Sequence, residues 1–83
     1  MIKNLYSMKD VKVGFGIPFC SHSDATAIRE LKVAVNAPKG STLIADCPQD
    51  YELWKVGTID TDTGIITPTV EFIQTAPKRD EDK

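Results

Sequence analysis

Apolar and polar residues alternate with a period of two along much of this chain, and one segment instead repeats with the period of a helix. Ile2, Tyr6 and Met8 fall on one side of an extended segment, with Lys3, Ser7 and Lys9 on the other and Leu5 as the exception, which predicts a half-buried strand. After a turn at Lys9-Asp10, Val11, Val13, Phe15, Ile17 and Phe19 alternate with Lys12, Gly14, Gly16 and Pro18, predicting a second strand. The two glycines on its back mark either a bulge or a close approach of another backbone or a ligand. Gly14-x-Gly16 is no dinucleotide fingerprint, because the third glycine is missing and Pro18 blocks a helix from starting there.

Ser21, Ser23 and Asp24 supply cap oxygens and a negative charge at the positive end of a helix dipole. Ala27, Ile28, Leu31, Ala34 and Val35 then form one apolar stripe, with Arg29, Glu30 and Lys32 on the wet side, so a helix is predicted at about residues 24–36. Asn36-Ala37-Pro38 ends it, since the residue before a proline is pushed out of helical geometry. Leu43-Ile44-Ala45 is either a brief strand or the anchor of a loop, and Asp46 to Asp50 reads as a turn. Tyr51 to Ile59 is rich in aromatic and β-branched residues, as a strand requires. Asp60 to Gly64 has the Asp and Gly of a hairpin loop. Beyond it, Ile66, Pro68 and Val70 predict an edge strand, because proline cannot donate to a further neighbour. The pattern defines an α+β domain over residues 1–75: a small antiparallel sheet of three to four strands with one covering helix. Residues 76–83, nearly all charged, are expected to form a disordered tail.

Length and composition narrow this further. Eighty-three residues hold one core, and so small a core makes a homodimer the expected state. A content of 41% apolar and 27% charged residues argues for a folded body rather than a disordered chain. With a net charge of −2, nucleic-acid binding requires the ten Lys and Arg to gather on one surface. The N-terminal residues lack the apolar stretch of a signal peptide, and no run approaches the ~20 apolar residues of a membrane span, so a cytoplasmic protein with no membrane partner is expected. Cys20 and Cys47 form no C-x-x-C and are read as reduced thiols.

Catalytic and metal chemistry find little support. Asp60, Asp62 and Glu71 match positions 1, 3 and 12 of a calcium loop, but Gly64 takes the place of an oxygen ligand and Ile65 that of the required glycine. Cys20, His22, Cys47 and Asp50 follow no zinc-finger spacing, and the single histidine has no nucleophile elbow beside it. No enzyme, metal or cofactor is expected. Single-stranded nucleic acid needs flat rings for bases and cations for phosphates. Tyr6, Phe15, Phe19, Tyr51 and Trp54 are the candidate rings, and Lys3, Lys9, Lys12, Arg29, Lys32 and Lys55 the candidate cations. Filling the core is the competing role for most of those rings, and a protein-contact surface the competing function.

The order of motifs adds a resemblance. Tyr6-Ser-x-x-Asp10, Pro18-Phe19, Ala27-Ile28-Arg29 and the run from Pro48 through Asp50-Tyr51-x-Leu53-Trp54-x-Val56-Gly57-x-Ile59-Asp60 to Thr63-Gly64 are similar to the small nonstructural protein of gokushoviruses. These are microviruses (Microviridae), bacteriophages with small circular single-stranded DNA genomes. The likeness covers about residues 5 to 66; Gln49 replaces an acid, Trp54 a tyrosine, Val56 an isoleucine and Ile59 a phenylalanine. It implies a viral protein made in the host bacterial cytoplasm, absent from the mature capsid, and commonly described as DNA-binding in genome replication or packaging. On that reading Tyr51, Trp54 and Lys55, with Lys3, Lys9, Lys12, Arg29 and Lys32, face single-stranded DNA. The alternative is a module that contacts replication, procapsid or host proteins.

Overall fold

The computed structural model describes residues 1–82. Five antiparallel strands form one sheet: β1 (Ile2–Asp10), β2 (Gly14–Phe15), β3 (Phe19–Ser21), β4 (Tyr51–Asp60) and β5 (Ile66–Thr75). β1, β4 and β5 are the long strands, in the order β1-β4-β5, while β2 and β3 share the far edge of β1. Helix α1 (Asp24–Val35) lies on one side, and a single helical turn, α2 (Leu43–Asp46), follows it. The sheet is therefore larger than the three to four strands read from sequence.

The helix begins where its cap allows. The Ser23 hydroxyl accepts from the Thr26 amide at 3.2 Å, and the Tyr6 hydroxyl donates to the Asp24 carboxylate, tying the first turn to β1. Tyr6, Ala27, Leu31, Val35 and Leu53 are fully buried and form the core, with Met8, Phe19, Ile28, Ile44 and Ile73 packed around them. Burial and the bond to Asp24 both raise the Tyr6 pKa far above its ordinary value.

Three departures from the sequence pattern have physical causes. Val11 to Phe19 is not one strand: residues 11–13 turn, and two short strands follow, β2 paired to the end of β1 at Lys9 and Asp10 and β3 to its middle at Asn4 to Tyr6. Gly14 takes φ +131° there, and a Cβ on Gly16 would lie 2.9 Å from the Met8 carbonyl oxygen. Val13 and Ile17, placed inward by the alternation, end up exposed. Leu43–Asp46 is a helical turn because the Thr42 hydroxyl accepts from the Ala45 amide, with buried Ala45 as its anchor. Third, the charged end, read as a free tail, is placed against the body through residue 82. Arg79 is only 8% exposed, and its Nη1 donates to the carbonyls of Val35, Ala37 and Ala45 at 2.8, 2.6 and 3.3 Å. It satisfies carbonyls that the ends of α1 and α2 leave open.

The β4–β5 hairpin follows the sequence reading. Gly64 has φ +78°, the Asp60 side chain accepts from the Asp62 amide, and β5 with Pro68 lies at the edge. β4 gains one residue against β1 at Val56, so that Leu5 faces Gly57 while Tyr6 faces Lys55. Only glycine fits at 57, since a Cβ would sit 2.4 Å from the Thr67 carbonyl oxygen.

Candidate nucleic-acid interface

Because strand side chains alternate, the residues between those of the core point to the side with no helix. Ser7 and Lys9 of β1, Glu52 and Trp54 of β4, Phe72 of β5 and Phe15 of β2 share this open face, as their register pairs show: Ser7 with Trp54, Lys9 with both Glu52 and Phe15, Trp54 with Phe72. The three rings form a row across the sheet. Trp54 meets Phe15 at 5.5 Å and 79° and Phe72 at 5.5 Å and 73°, both edge to face. Phe15 keeps 49% of its surface exposed and Phe72 47%, while Trp54 between them is half-buried.

The Lys9 ammonium stands 5.0 Å from the Phe15 ring centre and 5.1 Å from that of Trp54. Glu52 accepts from the Trp54 indole N–H at 3.0 Å, which fixes the indole and places a carboxylate at the rim. The row thus offers π surface, one cation and one anion.

Of the side chains named from sequence, the structure brings Phe15, Trp54 and Lys9 together, and it adds Phe72 to them. Lys3 lies on the same face near the far end of β1, opposite Ile59. Tyr51 and Lys55 point to the helix side, paired with Asp10 and with Tyr6 and Glu71 respectively. Burial, then the neighbouring Asp10, raises the Tyr51 pKa. Lys12 is exposed in the turn after β1 and forms an ion pair with Asp50 at 3.5 Å. Arg29 and Lys32 are exposed on α1, across the sheet from the rings. The cations are therefore spread over both faces. Of the other candidate rings, Tyr6 is core and Phe19 packs on it. Phe72 escaped the sequence reading; its signal was the alternation Pro68, Val70, Phe72, which continues the edge strand by one more residue of the same face.

Among the described residues no group of three or more His, Cys, Asp or Glu is placed to hold a metal ion, and Cys20 and Cys47 are free thiols. No described helix is long and apolar enough to cross a membrane.

A five-stranded antiparallel sheet with a helix on one side and a row of rings on the other defines a small α+β protein with an uncovered aromatic sheet face. The chain matches the Phage ORF5 protein family over residues 3–78 and belongs to that family. It is thus a small bacteriophage protein. No match was found among the curated proteins, and none among the solved structures.

Proposed function

We propose that this is a non-enzymatic accessory protein of a single-stranded DNA phage of the gokushovirus type, which binds viral single-stranded DNA in the host bacterial cytoplasm during genome replication or packaging. The observation that carries the reading is the Phe15–Trp54–Phe72 row on an uncovered sheet face with the Lys9 ammonium against two of its rings. Every base has a π face, so such a platform holds an unpaired strand without reading its sequence, each stacked base contributing ~1–3 kcal/mol. A duplex hides those faces and is bound poorly.

With Lys9 beside the rings and Lys3 further along the same face, few phosphates are neutralised per subunit. The slope of log affinity against log salt is then shallow, about −1 for one or two contacts on a single strand. The test is a titration with a fluorescently labelled oligonucleotide at low and moderate salt. Quenching of Trp54 together with a rise in anisotropy, both weakening mildly with salt, supports the assignment; no change in either signal at both salts removes it.

A second reading, a module that contacts replication, procapsid or host proteins, is favoured by one observation: apolar side chains continue from Phe72 along β5 through exposed Val70 and Ile66. Under that reading a labelled oligonucleotide leaves Trp54 unchanged.

A further inference from the structure

The half of the sheet nearest the 60–64 turn extends past the helix. Residues 2–5, 57–60 and 66–70 contribute nothing to the core cluster, yet their two faces differ. Asn4, Thr58 and Thr67, aligned across three strands, put polar side chains on the helix side, with exposed Ile2 at the strand end as the apolar exception. On the open side Ile59 pairs with Ile66, and Pro68 lies across Gly57 from Leu5; the two-residue period adds Val70. Ile66 is 58% and Val70 67% exposed. A sheet with one polar and one apolar face is patterned to bury the apolar one.

We propose that a second copy of this chain packs on the Leu5–Ile59–Ile66–Pro68–Val70 patch, open face to open face, with strands within about 30° of parallel or antiparallel as in sheet-on-sheet packing. Addition of a strand to the β5 edge is disfavoured, because Pro68 and the register breaks on β5 blunt that edge. Lys3, opposite Ile59, is the charge at the β1 side of the patch, while the acids of the turn, Asp60 and Asp62, are held by the Met1 amino group at 3.5 and 2.7 Å, so no uncompensated acid opposes a second copy related by a twofold axis. The core also calls for it. Among the described residues six apolar side chains are buried, against twelve large apolar ones left exposed, and a chain this small commonly gains stability by association. A partner needed wherever the chain exists is most simply another copy.

Five side chains per copy cover less than the roughly 800 Å² per partner of a standard interface, so the dimer is weak and dissociates on dilution. The Phe15–Trp54–Phe72 row lies beyond the patch and stays free in each copy. Two rows on one strand then raise affinity by avidity, about 10²- to 10⁴-fold where the spacing allows both to engage. The dimer itself does not depend on the DNA assignment.

Sedimentation velocity over a wide concentration range tests it, with wild type, Ile66→Glu and Val70→Glu. Both replaced side chains are exposed, so far-UV circular dichroism and the thermal midpoint at low concentration serve as checks that the variants fold. A wild-type mass rising from one chain to two, with each variant weakening dimerisation about tenfold or more, is the expected result. A wild type that stays monomeric overturns the proposal, as does a dimer that folded variants leave intact. A monomer in which an oligonucleotide protects Ile66 and Val70 from exchange also overturns it, assigning the patch to nucleic acid. A dimer that ignores oligonucleotides removes the DNA reading alone.

Discussion

On the helix side of the sheet Tyr6 and Leu53 lose all contact with water against Ala27, Leu31 and Val35, whereas on the opposite side Phe15 and Phe72 keep about half their surface. Both sets of side chains are apolar, and both sit on the same strands. The covered set closes a core and holds the helix to the sheet. The open set finds only its own neighbours, leaving π surface and Lys9 toward solvent. Side chains of one chemical class thus divide between holding the fold together and offering a binding surface, and substitutions should separate the two roles.

The largest effect is expected on the covered side. Leu53→Ala opens a cavity beneath α1 and should cost about 2–5 kcal/mol in urea unfolding. Trp54→Ala, on the open side, should weaken oligonucleotide binding by ~1–3 kcal/mol, read by anisotropy, while the folded spectrum persists. Equal loss of fold from both would erase the distinction. Arg79→Ala should destabilise by about 1–3 kcal/mol, because three carbonyls at the ends of α1 and α2 lose a buried donor, and should leave oligonucleotide affinity unchanged. Ser23→Ala removes the cap of α1 and should cost about 1 kcal/mol in thermal or chemical unfolding.

The smallest effect is on pH dependence. Burial raises the folded-state pKa of Tyr6 and Tyr51 above the ordinary value of 10.0. Their contribution to stability is whole below that pH and is lost as pH rises through the folded values. Unfolding midpoints should fall above pH 10, and Tyr6→Phe should flatten that fall.

Much of the covered side was legible in the sequence, because a capped 3.6-residue stripe and a Asp-Thr-Asp-Thr-Gly turn are local signals. Helix α1 and the β4–β5 hairpin rest on them. Val11 to Phe19 misled for the opposite reason: alternation alone cannot reveal that Gly14 and Gly16 bend the chain into a turn and two short strands. The open face was half legible. Phe15, Trp54 and Lys9 stood out by type, but their meeting with one another and with Phe72 depends on pairing across four strands and on register breaks that local patterning does not encode. Tyr51 and Lys55 flank the same motif yet point to the helix side, since Tyr51 lies an odd number of residues from Trp54 and Lys55 lies next to it. Arg79 sits in a charged run whose composition says nothing of the carbonyls it meets.

The most direct test of an open-face binding site is residue-resolved mapping of the ¹⁵N-labelled protein by NMR as a single-stranded oligonucleotide is added at low salt. Saturable shifts are expected at Phe15, the Trp54 indole, Phe72 and Lys9, with the exposed face of α1 around Arg29 and Lys32 unmoved. Shifts centred on Arg29 and Lys32, or none anywhere, would contradict it.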